Sequence, residues 1–476
     1  MKRILILAIL LAACGDDGST LTPEQLQDPS TCMQCHPQHY MEWSSSMHAY
    51  ASVDPVFVAM NQRGQRETNG ELGTFCLQCH APMAVALNQT NGTDFDPTKL
   101  TPQTTGITCY FCHSVKDVVA DHNNGLELYP DNVTMYGGAP KPASNSAHHS
   151  DYTAMMDSDV NDSSMCGSCH DVVTPEHGIS LERTFAEWKT TFFSTSNNQE
   201  LHLSCGSCHM KSKSDLIADD PDANVTLRDH GYHEHLWPAV DQAFTAFPNP
   251  DLLSGRIQED LDNALTIIGV RNLDGTAGGG ICLNPDGTLT VRMDTVSVAH
   301  AWPSGAAQDR RAWLEVTAYD TSGNVVFTSG VTPDGMDPED VVYSGSPDVA
   351  PPAKALLWDR TWKDTAMTMP ADFFWEVQAE DPSFLLRPPV TNDPTSPLLD
   401  HSTTATWTLG GALENQIDKI DARIRLRPFG YAILDQLISS GDLDASYRDK
   451  NTTLDTGGTN REWTRATMGV DRCNPF

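Results

Sequence analysis

One pentapeptide, Cys-x-x-Cys-His, occurs five times within the first 209 residues of the chain. Its copies are Cys32–His36, Cys76–His80, Cys109–His113, Cys166–His170 and Cys205–His209. This is the attachment motif of a c-type haem, in which the two thiols form thioethers with the porphyrin and the histidine ligates the iron. The sequence therefore predicts five covalently bound c-type haems.

Two other chemistries use Cys-x-x-Cys pairs: structural zinc, with four ligands per metal, and a redox dithiol. A zinc site needs no histidine after each second cysteine, and five cysteine pairs do not divide evenly into four-ligand sites. A redox dithiol would occur once and not five times. The haem interpretation is therefore favoured. The predicted thioether cysteines are Cys32, Cys35, Cys76, Cys79, Cys109, Cys112, Cys166, Cys169, Cys205 and Cys208, and the predicted proximal iron ligands are His36, His80, His113, His170 and His209.

The spacing of the motifs limits what the first half can fold into. Successive motifs start 44, 33, 57 and 39 residues apart. A segment of that length cannot bury a porphyrin and also build a separate apolar core, so the haems must supply much of the core themselves. We expect residues 21–245 to form a mainly α-helical and irregular multihaem cytochrome c domain.

The second half has a different pattern. Apolar residues at helical spacing in 251–268 predict a helix within a linker at 246–275. Alternating apolar residues predict strands at 289–293, 312–318, 404–409 and 424–427, with another at 373–378 and a short helix near 429–438. The predicted fold class is thus α+β multidomain, with an antiparallel β-sandwich at 276–476.

The N-terminus has the features of a targeting segment. Lys2 and Arg3 precede an apolar stretch, and Leu11-Ala12-Ala13-Cys14 resembles a bacterial lipoprotein box. Residues 1–20 are therefore predicted to be a signal peptide and tether, with a lipid on Cys14 anchoring an exported protein to a membrane. Gly15 after Cys14 favours the outer membrane by resemblance to enteric sorting rules. An ordinary signal peptide is the alternative.

The formal net charge of −33 limits the partners. Nucleic-acid binding needs clustered Lys and Arg, so a nucleic-acid partner is not expected. A basic redox protein would be attracted electrostatically. Acidity equally serves to keep an exported protein soluble.

The residues after the first motif carry a family resemblance. Tyr40, Trp43 and Ser46-Met47-His48-Ala49 follow it, as in the multihaem cytochromes related to hydroxylamine oxidoreductase and its tetrahaem cytochrome c electron acceptor. The segments 105–108, 120–122 and 233–235 also resemble that tetrahaem protein, and the resemblance covers about residues 31–236. It implies a haem-based electron carrier or oxidoreductase.

The resemblance also implies distal ligands. It points to His122 on the first haem, His48 on the fourth and the pair His233 and His235 on the third, and it leaves the second haem, at His80, without a sixth ligand. The fifth motif departs from the tetrahaem pattern. His148 and His149 would then be free for the second or fifth haem.

Histidine usage independently indicates iron ligation. Twelve histidines lie outside the motifs, and ten of them fall between residues 39 and 235. We rank the distal candidates in the order His48, His122, one of His148 and His149, one of His230, His233 and His235, His177 or His202, and then His300. The last lies in 298–305, which with 310–314 resembles a block that follows the haem domains of some bacterial multihaem cytochromes.

Two functions are consistent with these features. One is electron transfer between redox proteins through mostly six-coordinate haems, with the β-rich half serving docking or assembly with other cytochromes. The other is reduction of a small nitrogen or sulfur oxyanion at one open haem. The Cys-x-x-Cys-Lys motif of the related nitrite reductases does not occur here. Cys282 and Cys473 either form a disulfide or are free thiols.

Overall fold

A computed structural model describes residues 21–137, 152–154, 163–198, 200–219, 225, 227–271, 277–295 and 297–468. The predictions made for Cys14, His148, His149 and Cys473 fall outside the described residues. No described helix is both long enough and apolar enough to cross a bilayer.

The first half is made of short helices joined by loops. Polar side chains start several of them: Asp54 accepts hydrogen bonds from the nitrogens of Val56 and Phe57 at 2.7 and 3.2 Å, and Thr108 caps the helix of the third motif. The helices of this half are α1 (Pro23–Gln27), α2 (Pro29–Cys32), α3 (Pro37–Ser44), α4 (Met47–Tyr50), α5 (Pro55–Glu67), α6 (Leu77–His80), α7 (Pro82–Ala86), α8 (Cys109–His113), α9 (Ser164–His170), α10 (Thr184–Trp188), α11 (Phe192–Thr195) and α12 (Cys205–His209).

Two-stranded ribbons follow three of the motifs, a feature that the sequence did not predict. The third, fourth and fifth motifs are followed by strands beginning at Val115, Asp171 and Ser212. Each such ribbon reverses the chain immediately after a proximal histidine. The strands are β1 (Val115–Val118) with β2 (Leu126–Leu128), β3 (Met135–Gly137) with β4 (Tyr152–Ala154), β5 (Asp171–Val173) with β6 (Ser180–Arg183), and β7 (Ser212–Leu216) with β8 (Leu227–His233).

The second half begins with helix α13 (Pro250–Ala264), whose apolar face buries Leu253, Ile257 and Leu261. The predicted helix ends four residues earlier than expected, because Leu265–Arg271 continues as strand β9. The remaining helices are α14 (Gly411–Glu414), α15 (Tyr431–Ser439) and α16 (Arg465–Met468).

Two larger sheets follow. In the first, the order is β10-β9-β12-β11, and β19 also pairs with β12; in the second it is β15-β14-β13-β20-β21, with β16 on β13 and β22 on β20. β17 and β18 form a separate pair. The strands are β9 (Leu265–Arg271), β10 (Ala277–Gly279), β11 (Ile281–Leu283), β12 (Thr288–Thr295), β13 (Arg311–Tyr319), β14 (Val325–Ser329), β15 (Asp348–Val349), β16 (Leu356–Leu357), β17 (Arg360–Trp362), β18 (Ala379–Asp381), β19 (Thr403–Thr408), β20 (Lys419–Arg427), β21 (Leu454–Asp455) and β22 (Arg461–Thr464).

The two sheets share one apolar core. Leu289 and Val291 of β12 belong to the same buried cluster as Leu314 and Val316 of β13. Across the sheets, the indole nitrogen of Trp407 donates to Ser329 Oγ at 3.0 Å, so a buried polar group is satisfied where the layers meet. Alternation of apolar residues therefore identified these strands correctly.

The strand predicted at 373–378 is wrong. Phe374–Glu376 is a 3₁₀ turn, because the Glu376 carboxylate accepts hydrogen bonds from the nitrogens of Asp372 and Phe373 at 3.0 and 3.2 Å. Phe373 and Trp375 instead bury their rings in a second core, which contains residues of α5 in the first half and of α15 in the second. The two halves are thus packed against each other over an apolar surface.

Candidate haem centres

The proximal histidines are held by backbone carbonyls from other segments. The Nδ1 atom of His36 lies 2.5 Å from the oxygen of Ile217, and that of His113 lies 2.5 Å from the oxygen of Tyr136. His209 makes the same contact with Pro238 at 2.9 Å, and His80 makes it with Ala51 at 3.3 Å. Because a carbonyl oxygen only accepts, Nδ1 carries the proton and Nε2 is left as the ligating atom.

Two distal histidines lie opposite proximal ones. His48, on α4, faces His170 with ring centroids 6.2 Å apart, and His235 faces His113 with centroids 6.4 Å apart and an interplanar angle of 6°. These are the partners that the family resemblance implies for the fourth and third haems. His235 also donates from Nδ1 to the oxygen of His233, at 2.7 Å.

These separations fit an iron between the two rings. An imidazole–metal bond is about 2 Å, and a further ~1 Å separates Nε2 from the ring centroid, so two axial imidazoles place their centroids about 6 Å apart. Ring pairs in direct contact have centroids about 4.5–7 Å apart, so the separation agrees with an intervening iron but does not by itself require one. The described residues therefore fit a haem coordinated by two histidines at both positions.

The electrostatics of these rings favour metal binding. Burial lowers the pKa of His48 to about 3 and of His80 to about 4, and it also lowers the pKa of His36, His113 and His170. The imidazoles are therefore neutral at pH 7. A neutral imidazole is the form that donates an electron pair to a metal.

The second motif is different. Its histidine, His80, has the ring of Phe57 stacked on it, with centroids 4.1 Å apart and planes at 5°. Among the described residues, no histidine ring lies opposite His80 at the separation seen for the third and fourth motifs. The described part of the chain thus gives the second haem one axial ligand.

The thiols of different motifs are in contact. Burial raises the pKa of Cys76 and Cys112 to about 12, so both are thiols and not thiolates. Cys112 of the third motif also acts electrostatically on Cys166 of the fourth. The hydrogen-bonded pairs between motifs are Cys32 with Cys109, Cys79 with Cys169, and Cys166 with Cys205.

These contacts place the first motif beside the third, and the fourth motif beside both the second and the fifth. The fourth motif, Cys166–His170, therefore has two neighbouring motifs.

Two described cysteines are disulfide-bonded. For Cys35 this state excludes a thioether at the same sulfur, so its assignment to the first haem stays a prediction. Cys282 is also disulfide-bonded, and its pairing with Cys473 stays a prediction.

Several predicted ligands lie at the surface. His122 is exposed beside Asp121, whose carboxylate also binds Lys189 at 2.5 Å. His177 lies 3.9 Å from Glu176, and His233 is exposed, with Nδ1 3.2 Å from the oxygen of Met210. The distal role of His122 therefore stays a prediction, and of the pair His233 and His235 only the second faces a motif.

Sequence reasoning did not single out His39. It lies one helical turn after His36, stacks on Tyr232 with centroids 4.3 Å apart, and meets His235 edge-on at 4.6 Å. Burial lowers its pKa to about 3. Its i, i+3 spacing from a proximal histidine was the available signal.

A histidine from the other half of the chain lies opposite the fifth motif. The ring of His300 faces that of His209, with centroids 6.4 Å apart and planes at 16°. His300 stood last among the distal candidates.

Residues 31–114 match the cytochrome c554 and c-prime family. That segment contains the first three motifs and the first distal histidine, His48. The fold is similar to the crystal structure of a penta-haem cytochrome c552 from Thermochromatium tepidum, with a TM-score of 0.56 and 16% sequence identity, covering 92% of this chain and 99% of that one. No curated protein sequence matches the chain. The family match and the shared fold support a multihaem cytochrome c, and with it a role in electron transfer.

Proposed function

We propose that this protein is a pentahaem c-type cytochrome that carries electrons between redox proteins outside the cytoplasm. One observation carries the proposal: in four of the five motifs the described structure holds the proximal imidazole by its Nδ1 atom, which leaves Nε2 as the atom that can bind iron. The bound haems would supply one-electron redox chemistry at each site.

The chain's own residues determine what those sites can do. His48 and His235 occupy the positions of sixth ligands at the fourth and third motifs, and a haem with both axial positions filled has no place for a substrate. Such sites exchange electrons without forming or breaking bonds. The first motif lies beside the third, and the fourth lies beside the second and the fifth, so haems attached there would be close enough to exchange electrons within each group.

The charge of the chain suggests the type of partner. A net charge of −33 favours a basic electron donor or acceptor, whose association would weaken as salt screens the attraction. A lipid on Cys14 would hold the protein at a membrane, with the outer membrane favoured, and assembly with other cytochromes is compatible with this arrangement.

Intact mass spectrometry of the exported, purified protein tests the haem count. We expect the mass of the mature chain plus five haems, together with a lipid at Cys14. A protein without covalent haem, or one that binds zinc at the cysteine pairs, would contradict the proposal. Binding of the ferric protein to a basic cytochrome at low and high salt tests the electrostatic part.

A second function is favoured by the second motif. Because no described histidine lies opposite His80, the haem there could bind a small nitrogen or sulfur oxyanion at its open position. The EPR spectrum of the oxidised protein would then contain one high-spin ferric signal. If that signal is present, assays with the oxyanions nitrite and sulfite test for the substrate. A spectrum in which all haems are low-spin removes the reductase function.

A further inference from the structure

The β-rich half extends one segment into the haem region. Residues 300–310 leave the second half, run along the ribbon and helix that follow the fourth motif, and return to strand β13. Ala301 donates its backbone hydrogen to Glu187 Oε2 at 2.9 Å, and the hydroxyl groups of Ser304 and Thr184 are 2.7 Å apart. These contacts attach the segment to the first half.

Further contacts anchor the same segment in the second half. Trp302 and Leu386 exchange two backbone hydrogen bonds, at 2.9 and 2.8 Å. Arg310 then returns to the first half, binding both oxygens of Asp241 at 2.8 and 2.9 Å. The position of the segment is thus fixed on both sides, and His300 at its start is held between the two halves.

His300 has the geometry of an iron ligand. Its Nδ1 donates to the oxygen of Ala301 at 2.8 Å, as the Nδ1 of His209 donates to Pro238 at 2.9 Å. Both rings therefore present Nε2 with its lone pair, and two such nitrogens cannot hydrogen-bond to each other. Their centroid separation of 6.4 Å equals that of His113 and His235.

We infer that His300, supplied by the β-rich half, is the second axial ligand of the haem attached at Cys205–His209. The inference rests on the proposed haem attachment and extends it to a residue outside the haem-binding half. It gives the second half a role in the redox chemistry: the fifth haem is six-coordinate only when the two halves are packed together.

The test uses the full-length holoprotein with His300→Ala, and with His401→Ala as the control. His401 also lies in the second half, is not among the ligand candidates, and has its Nε2 2.9 Å from the Asp294 carboxylate. Mass spectrometry first counts the haems. With five haems retained in both variants, we expect His300→Ala to convert one haem in five from low-spin to high-spin ferric in EPR and optical spectra. Added imidazole should restore the low-spin state, and His401→Ala should have the spin state of the unsubstituted protein.

The outcomes separate the inference from the proposed function. An unchanged spin state in His300→Ala overturns the ligand assignment while leaving the haem count intact. Fewer than five haems in the unsubstituted protein would count against the proposed function instead. If His300→Ala does not accumulate, His300→Met provides the test. A methionine ligand should keep the haem low-spin and raise the midpoint potential of one haem in five. An unchanged set of five potentials would overturn the assignment.

Discussion

The carboxylate of Glu42 accepts a hydrogen bond from the backbone nitrogen of His235 at 2.9 Å. Glu42 lies on the helix after the first motif and is only 2% exposed, whereas His235 faces the third motif. The same carboxylate accepts hydrogen bonds from the Tyr232 hydroxyl at 3.1 Å and from Gln38 at 2.8 Å. A residue on the helix after the first motif thus positions the histidine that faces the third motif.

We expect Glu42→Ala to weaken the third haem centre. Removal of the carboxylate leaves buried donors on Tyr232 and His235 without an acceptor, which costs about 2–3 kcal/mol of unfolding free energy. EPR should show partial loss of the low-spin signal of one haem. Glu127→Ala, which removes an exposed partner of Lys116, is the control; equal effects of the two substitutions would argue against a positioning role for Glu42.

The fourth and fifth motifs share the sequence Cys-Gly-Ser-Cys-His but differ in packing. A Cβ atom on Gly167 would overlap the ring of Phe185, whereas one on Gly206 would find its nearest neighbours at 3.7 and 3.8 Å. Gly167→Ala should therefore displace α10 and lower the thermal midpoint. Gly206→Ala should change the free energy of unfolding by no more than about 0.5 kcal/mol. Calorimetry of the two variants compares the same substitution in two identical pentapeptides. A larger loss of stability in Gly206→Ala than in Gly167→Ala would contradict the packing argument.

Glu182, on strand β6, should make stability depend on pH. Burial raises its pKa from 4.5 to about 7, with Arg310 opposing the shift. Between these two values the folded state binds more protons at Glu182 than the unfolded state, so its contribution to stability is present below about pH 4.5 and lost as pH rises to 7.

Chemical unfolding at pH 5 and pH 8 measures this dependence. The free energy of unfolding should fall between pH 5 and pH 8, and Glu182→Gln should reduce that fall by up to about 3 kcal/mol. The exposed residue Glu200 serves for comparison, since Glu200→Gln should leave the pH profile unchanged. A Glu182→Gln profile that follows the original protein would show that the Glu182 carboxyl group titrates normally.

Arg183 joins the two halves through buried charge. It binds Asp359 at 2.7 Å and also contacts Glu380, and the Asp359 side chain is 0% exposed. Arg183→Ala leaves that carboxylate unpaired, and the expected loss is about 3–5 kcal/mol. Lys419→Ala, which breaks ion pairs with exposed Glu462 and Asp421, should cost less than about 1 kcal/mol.

Two probes report whether the halves then separate. Haem absorbance follows the first half, and tryptophan fluorescence is weighted toward the second. Coincident unfolding curves in the unsubstituted protein and separated curves in Arg183→Ala are the expected result. Coincident curves in both would show that the apolar contact between α5 and α15 suffices to couple the halves.

The sequence predicts the haem ligands more directly than it predicts the structure around them. The pentapeptide identifies each proximal histidine by itself, because the attachment reaction requires it next to the second cysteine. His48 and His235 followed from family resemblance. His300 ranked last, because the block around it resembles one that follows haem domains but does not indicate which motif it serves. Only the packing of the two halves brings it to His209, 91 residues earlier in the chain.

Secondary structure was predicted well in the second half of the chain and less well in the first half. The alternation in 312–318 and 424–427 predicted two central strands correctly, because each has one face in the shared core, although the second strand begins five residues earlier, at Lys419. The ribbons of the first half were missed, since strands of three to seven residues with mainly exposed or half-buried side chains carry no clear alternation. At 373–378 the alternation was real, but a side-chain cap from Glu376 closed the turn.

The carbonyl that orients His36 belongs to Ile217, 181 residues later in the chain. A chain synthesised from its N-terminus therefore presents its first motif for thioether formation long before the group that fixes the tautomer of its histidine exists. The third motif finds its acceptor, Tyr136, after only 23 residues. If a haem is attached at Cys32–His36 as proposed, thioether formation and the orientation of His36 are separate steps, because the second step requires a segment 181 residues further along the chain.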